Sequence, residues 1–526
     1  ENLMERRKLT LDKSRPIAVK KRKKIGKRTA RENIKSLIGN NDFFEYGDLV
    51  YAAQRSRRSL DDLIKNTPAD GLITGLSYVN SDLFAKEQTK TAIMHYDYMV
   101  LAGTQGINNH KKLDRMIDVI RGLKVPLIFF CEGGGGRPGD VDAGDQNIAG
   151  LNIPSFHDFA RLSGEVPLVG IGSGRLFAGN AALLGCCDVI IGTRDLNLGM
   201  GGPAMIEGGG LGVYKPEEVG PTSVQYPNGV IDILVDNEDD AIVIAKKYLS
   251  YFQGNLGSWE APEVENLRYV IPENRLEVYD IREVIDNIAD IGSVLEIKAG
   301  FAKGMFTGFI RVKGKPLGLI ANNPLFLAGA IDSDGADKAS RFIKLCENYN
   351  IPILSLCDTP GMMVGPEIEE TGLVRHCCRL FLAGANVTVP MMTIVLRKAY
   401  GLGAQAMAGG SFMAPQFVVG WPTAEIGAMG LEGAVKLGYR KELEAESDVE
   451  KKEKLFKKLV DDLYEKGKAI NAASLLEFDT VLDPIESRDW ISMVVESPIN
   501  SSEKVPKNRY IAVSYTHLTL PTTTIV

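Results

Sequence analysis

The sequence predicts an α/β chain in which one structural plan is used twice in tandem, and three observations carry that prediction. First, Leu101-Ala102-Gly103 recurs 226 positions on as Leu327-Ala328-Gly329, and the same offset pairs Lys112 with Lys338, Arg115 with Arg341 and Pro126 with Pro352. Second, each of those prolines is followed by an apolar run of buried-strand type, 127–131 and 353–357. Each run ends in an acid and then glycine, Glu132-Gly133 and Asp358-Thr359-Pro360-Gly361. Third, Val166–Val169 and Val389–Met392, offset by 223, each lead into a Gly/Ala turn, Phe177-Ala178-Gly179-Asn180 and Leu402-Gly403-Ala404-Gln405. Eight landmarks in one order, at offsets between 223 and 226, exceed the likeness that any two α/β units share.

Taken in order, residues 1–69 form a basic, mostly helical arm. Within it Thr29-Ala30-Arg31-Glu32 precedes the periodic Ile34, Leu37 and Ile38, a helix start with its cap. The first half spans about 70–265 and the second about 266–495, with the turn-rich Gly254–Pro262 between them. Residues 440–475 predict a charged, long helical stretch whose apolar Leu455, Leu459, Leu463 and Ile470 form a face packing on the body. The tail 496–526 is set apart. From Val513 it reads VSYTHLTLPTTTIV, without period or partner, as non-native carry-over that takes no part in the fold.

Composition bounds the function. Of 526 residues 44% are hydrophobic, enough for a large core, and the 55 glycines cluster between apolar runs rather than forming a linker. A formal charge of −6 names no partner. The cations of residues 1–31, including Lys20, Lys21, Arg22, Lys23 and Lys24, admit two readings: an anion site for a phosphate-rich ligand, or a solvated arm packed on the body. Nucleic-acid binding is not indicated, because no aromatics interleave those charges.

Seven cysteines without a C-x-x-C suit a reduced cytoplasmic or organellar-matrix setting, and no metal site is expected. No apolar run is long enough for a membrane span. H-E-x-x-H, G-x-S-x-G and the phosphate-binding G-x-x-x-x-G-K-[ST] are all missing, and Gly170–Gly174 lacks the third glycine of a dinucleotide loop. His157 and His376 lie in helical stretches and read as satisfied helix residues.

What remains for chemistry is backbone. Strands 166–171 and 389–396 each lead to a glycine turn and a helix of small residues. The first turn of a helix leaves N–H groups unpaired and positive, and glycine lets a ligand approach them. Such N–H groups form an oxyanion hole; small residues also simply allow tight helix packing. The loop Glu132 to Asp140, with Gly133, Gly134, Gly135, Gly136 and Arg137, follows a strand end, where α/β folds gather ligands. Met200-Gly201-Gly202-Pro203, inside a second glycine-rich segment, suits the wall of an acyl pocket.

Ala69-Asp70-Gly71, the loop 132–140, Arg397-Lys398-Ala399-Tyr400-Gly401, Trp421-Pro422-Thr423-Ala424-Glu425 and Asp483–Arg488 together resemble the carboxyltransferase component of biotin-dependent acyl-CoA carboxylases, across about 25–495. Met200–Pro203 with Arg375-His376 is most similar to the carboxyltransferase region of single-chain carboxylases, so Glu1 is expected to begin a fragment of a longer chain.

The resemblance implies two tandem crotonase-like domains, the first binding CoA and the second on the biotin side. The site would be shared between the first half of one protomer and the second half of another. It assigns Ala178 and Gly179 to the hole for the biotin ureido oxygen, and Leu402 and Gly403 to the hole for the thioester enolate. Biotin itself would act as base. Gly133–Gly136, Arg137, Gly201, Gly202, Ala404 and Gln405 would contact CoA, acyl chain or biotin. Relatives often carry Gly-Gly and Gly-Ala in the two holes, and a backbone N–H survives both changes.

No biotin-attachment motif occurs, so carboxybiotin must come from a biotin carboxylase and biotin carboxyl carrier on another polypeptide or a preceding region. The implied assembly is a homo-oligomer built on dimers, up to a hexamer. Three other readings stand beside this one. They are a biotin-linked acyl-CoA decarboxylase subunit, a crotonase-type hydratase or isomerase using Glu132 and Glu207, and a catalytically silent assembly subunit.

Overall fold

The computed structural model describes residues 1–137, 139–142 and 151–496. Pro138 of the glycine loop and the whole 513–526 tail lie outside the described residues. The chain divides into two compact units, Glu1–Gly254 and a second beginning at Asn255. That boundary falls inside the turn-rich segment and ahead of the one expected at 265.

In the first unit eight strands form one sheet: β1 (Phe44–Tyr46), β2 (Leu72–Tyr78), β3 (Lys90–Tyr96), β4 (Leu127–Gly134), β5 (Leu168–Phe177), β6 (Val189–Thr193), β7 (Asn197–Gly199) and β8 (Ile233–Val235). Their order is β1-β2-β3-β4-β5-β6-β8, with β7 paired to the far end of β5. The first three are antiparallel, and β3 onward run parallel. A parallel step needs a crossover, and the Ile107–Leu123 helix supplies the one between β3 and β4. Its Leu113, Met116, Ile117 and Ile120 recur at helical spacing and are fully buried against the sheet.

The basic arm belongs to this unit. Thr29 and Glu32 form the capping box that the sequence predicts, and Ala30, Ile34, Leu37 and Ile38 are buried. Burying each of the three larger side chains contributes about 1.5–3 kcal/mol, so this part of the arm is docked rather than solvated.

The second unit repeats the plan with β9 (Leu295–Glu296), β10 (Met305–Val312), β11 (Lys315–Asn322), β12 (Ile353–Thr359), β13 (Met391–Tyr400), β14 (Phe417–Gly420), β15 (Glu425–Gly427) and β16 (Thr480–Val481). The order is β9-β10-β11-β12-β13-β14-β16, with β15 paired to the end of β13. The Ser333–Asn348 helix makes the crossover equivalent to Ile107–Leu123. The repeat extends to strained backbone. Leu101 and Ala102 have φ of 49° and 54°, and Leu327 and Ala328 both have 51°. Left-handed non-glycine residues cost about 1–2 kcal/mol each, so their recurrence at matched positions is a constraint of the plan.

The stretch 440–475 is helical, in three pieces: Arg440–Ala445, Val449–Gly467 and Ala469–Ser474. The Asp448 side chain accepts from Lys451 N and starts the second helix. Gly467 ends it where a Cβ would lie 2.4 Å from the Ile426 carbonyl oxygen. Leu455, Leu459 and Leu463 pack on the body as expected, but Ile470 is exposed. Among the described residues no helix is long and apolar enough to cross a membrane.

Candidate active site

In the first unit the site elements converge at the carboxyl ends of β4 and β5. β5 runs into the Ala178–Gly185 helix through Ala178, which is left-handed at φ 52°. The Gly135 N–H donates to the Phe177 carbonyl at 3.1 Å, tying the glycine loop to the residue before the helix. Asn180 then clamps the turn, its Nδ2 donating to the carbonyls of Gly103 and Glu132, both at 2.9 Å.

The glycines of the loop differ in role. Gly133, at φ 97°, lies so close to the Leu101–Gly103 turn that a Cβ would come within 2.4 Å of the Ala102 oxygen. A Cβ on Gly134 would make only an ordinary contact with Phe177 at 3.8 Å, and one on Gly136 would meet open space. Gly202 sits against the Phe177 ring, while Gly201 meets only Met205. The glycine-loop residues, Gly202 and Ala178–Gly179 are thus gathered around one turn.

Arg137 is engaged within the loop's own ion pairs. Its side chain is buried, with Nη1 donating to Asp70 Oδ1 at 2.6 Å and Nη2 to the Thr104 carbonyl at 2.8 Å. Asp140 completes the pocket and also accepts from the Ile107 N–H at the start of the crossover helix. Burial pushes the Asp70 carboxyl up to about 6 despite Arg137. This arginine holds the loop.

Glu132 is likewise occupied. Both of its carboxylate oxygens accept from Arg22 of the arm, Oε1 at 2.7 Å. Lys27 of the arm pairs with Asp195 and approaches Glu238. The five-cation run is therefore split: Arg22 is buried in an ion pair, Lys23 pairs with Glu32, and Lys20, Lys21 and Lys24 are exposed. A hydratase needs a carboxylate facing its substrate, and Glu132 faces arginine.

In the second unit β13 runs into the Gly401–Met407 helix through Gly401, left-handed at φ 53°. Gly401 stands 223 positions after Ala178 and shares its conformation, so Leu402 corresponds to Gly179 and Gly403 to Asn180. The turn pair equivalent to Ala178-Gly179 is Gly401-Leu402, one residue earlier than the sequence pairing. Gly403 is a packing glycine, since a Cβ there would come within 2.6 Å of the Gly361 backbone.

Beside the turn lies a cavity of about 930 Å³ lined by Gly401, Leu402, Ala404, Gln405, Met413 and Met429, among others. Leu402 is 62% exposed, while Ala404 is buried in the cavity wall. Phe412, Met413 and the 426–429 strand end were not singled out from sequence; the run Gly427-Ala428-Met429-Gly430 was the available signal. Asp358, at the position of Glu132, is fully buried and held by the Tyr279 hydroxyl at 2.8 Å, Arg397 at 3.1 Å and Lys398 at 2.9 Å. His376 Nδ1 donates to the Asp337 carboxylate at 2.7 Å, so it is a satisfied helix residue. No group of histidine, cysteine and carboxylate side chains fit to hold a metal ion occurs among the described residues.

Residues 21–511 match the carboxyl transferase domain family. The methylmalonyl-CoA carboxyltransferase 12S subunit of Propionibacterium freudenreichii subsp. shermanii is 31% identical, over 97% of this chain and 96% of its own. The propionyl-CoA carboxylase carboxyltransferase subunit of Haloferax mediterranei is 30% identical, over 88% and 89%. Among solved structures, a single-chain, multi-domain long-chain acyl-CoA carboxylase superposes with a TM-score of 0.89 at 54% identity. The match covers 94% of this chain and 48% of that one, so the chain spans about half its length. The transcarboxylase 12S hexamer with methylmalonyl-CoA bound superposes with a TM-score of 0.80 at 30% identity, over 94% of both chains. With its duplicated sheet and matched strand-to-helix turns, the chain belongs to the carboxyl transferase domain family: it is a carboxyltransferase of two crotonase-like domains.

Proposed function

We propose that the chain moves a carboxyl group from carboxybiotin, presented by a biotin carboxyl carrier, to the α carbon of a long-chain acyl-CoA. The observation that carries the mechanism is the pair of matched turns, Ala178-Gly179 and Gly401-Leu402. Each starts a helix with a left-handed residue and leaves first-turn N–H groups without intrahelical partners. N–H groups fixed in this way hold a developing oxyanion without reorganising, and that is the stabilisation an enolate needs.

Carboxybiotin, when bound, supplies the carboxyl group and, after losing it, a base. The chain's part is to bind and orient. The second turn fixes an enolate oxygen, and the first holds the carbonyl-type oxygen of the other partner.

The cavity supports the long-chain reading. Its volume of about 930 Å³ and its exposed Leu402, Met413 and Leu476 exceed what a two- or three-carbon acyl group can fill. The 54% identity to a long-chain acyl-CoA carboxylase supports the same reading. The transcarboxylase 12S structure is a hexamer, and we extend a dimer-based homo-oligomer to this chain.

The test has two arms. Carboxylation of an acyl-CoA series from two to sixteen carbons is expected to give kcat/KM rising with length; a maximum at propionyl-CoA refutes the long-chain assignment. Replacing Leu402 by its α-hydroxy acid exchanges that N–H for an ester oxygen and keeps the side chain. Turnover is expected to fall roughly 10²- to 10³-fold, as for loss of one oxyanion donor. Unchanged turnover in the folded protein removes the backbone-hole mechanism.

A further inference from the structure

The two turns are alike in backbone and unlike in what braces them. Tyr400, the residue before Gly401, is buried, and its hydroxyl donates to Glu425 Oε1 at 2.6 Å. Glu425 starts β15, which pairs with the end of β13 in the register Lys398↔Glu425, Ala399↔Ile426, Tyr400↔Gly427. Arg275 reaches the same Oε1 at 3.5 Å and Glu432 at 3.0 Å. Glu425 is 1% exposed, and its Oε2 has no hydrogen-bond partner among the described residues. A buried carboxylate left half-satisfied is costly, so its presence calls for a reason beyond packing.

The first repeat shows what the fold alone requires. There β7 pairs with β5 in the same way, Arg175↔Asn197, Leu176↔Leu198, Phe177↔Gly199. Phe177 occupies the place of Tyr400 and Asn197 that of Glu425. Phe177 has no hydroxyl, and Asn197 donates elsewhere, to the Glu217 carbonyl at 3.2 Å. The Phe177–Ala178 turn nevertheless adopts the same left-handed geometry, φ 52° against 53°. The strand-turn-helix unit therefore forms without a hydroxyl–carboxylate bond.

We infer that Tyr400 and Glu425 are positioning residues for the second turn. The pair would lock the turn to the strand end that walls the acyl cavity. Three observations support that direction. A Cβ on Gly401 would lie 2.9 Å from the Ala428 oxygen, and one on Gly427 would lie 3.3 Å from the Tyr400 ring, so the two segments already touch. Ile426, Gly427 and Ala428 line the cavity together with Gly401 and Leu402. A hydrogen bond across this contact fixes the distance between the N–H groups and the surface on which the acyl chain lies. The inference rests on the proposed role of the Gly401-Leu402 N–H groups.

The experiment measures kcat and KM for a long-chain acyl-CoA in the full oligomer for Tyr400→Phe, Glu425→Leu, Glu425→Gln and the Tyr400→Phe/Glu425→Leu double variant. Tyr400→Phe installs the residue that the first repeat already carries. It is expected to lower kcat roughly 10- to 100-fold, the scale of a small misplacement of catalytic groups, with KM changed less than about threefold. Glu425→Gln keeps an acceptor for the hydroxyl and should lose less than Glu425→Leu. The double variant should fall no further than the worse single, because both remove one bond.

A folded Tyr400→Phe oligomer with undiminished kcat overturns the inference, as does a rise in KM alone. The α-hydroxy acid at Leu402 separates the two levels. If that ester lowers turnover and Tyr400→Phe does not, only the positioning role is lost. If the ester is silent, the role of the turn is lost and the positioning role with it.

Discussion

Replacing Arg22 by methionine is expected to cost the first unit far more stability than a change in a basic arm ordinarily does. Arg22 and Glu132 side chains are 6% and 7% exposed, and the guanidinium engages both carboxylate oxygens. Glu238 lies 3.9 Å from the same guanidinium, and Lys27 is the other cation of the cluster. Methionine fills much of the volume but leaves two buried acids sharing one lysine. Breaking a buried pair by removing one partner costs about 3–5 kcal/mol. In a unit of this size each kcal/mol lowers Tm by about 2–4 °C, so a fall of roughly 6–20 °C follows.

The loss should depend on pH. Burial already raises the Glu132 carboxyl, and Arg22 opposes that rise. Without Arg22 the folded-state value moves further above the unfolded one. An acid raised in the fold destabilises as pH climbs above its unfolded value, so the deficit is expected to be larger at pH 8 than at pH 5. Urea titrations of wild type and Arg22→Met across that range measure it. The companion Arg22→Met/Glu132→Met should recover much of the loss, since removing both members of a buried pair is often neutral. An Arg22→Met protein with unchanged stability, or a deficit that is flat with pH, refutes the reasoning.

Three further outcomes are expected. Changing the exposed Lys20, Lys21 and Lys24 to Gln should raise KM for acyl-CoA at low salt and spare kcat, since phosphate contacts far from the reacting carbon bind ground and transition state alike; an unchanged KM makes these lysines a solvated face. Gly403→Ala should destabilise the second unit by about 1–3 kcal/mol, because its Cβ would meet the Gly361 backbone at 2.6 Å, and a denaturation midpoint equal to wild type rejects the packing role. Burial pulls the Lys338 ammonium down to about 7, below its unfolded value, so stability contributed at this site rises with pH from about 7 to 10. Lys338→Met should abolish that component, and parallel stability–pH slopes for the two proteins contradict it.

How much of this was legible in the sequence depends on the range over which each interaction acts. The repeat was readable because burial of β4, β5, β12 and β13 forces long apolar runs, and because the left-handed Leu101–Gly103 and Leu327–Gly329 turns keep the same three residues. The helix cap at Thr29 and Glu32 was readable because it closes within three residues. The backbone state of the two turns was not readable in the same way, because residue type does not encode φ: Ala178 and Gly401 differ in side chain and share a left-handed conformation. The helical stretch of 440–475 was readable from its periodicity, but its interruption at Lys468 was not, because Lys468 bridges Glu425, 43 residues away.

The acids that end β4 and β12 show why side-chain roles resist the same reading. Glu132 and Asp358 stand at one place in the duplicated plan, and each is buried with a cation. For Glu132 that cation is Arg22, 110 residues earlier on the arm; for Asp358 it is Arg397, 39 residues later on β13. Burial demands that the charge be compensated, but it does not say from where. Each repeat solved the demand with whatever element its own chain brought near. In the first half the solution ties the arm to the floor of the turn. In the second half the cation lies on β13 itself, and the strand that carries Arg397 also carries Tyr400 to its bond with Glu425. One backbone plan thus supports two differently wired turns.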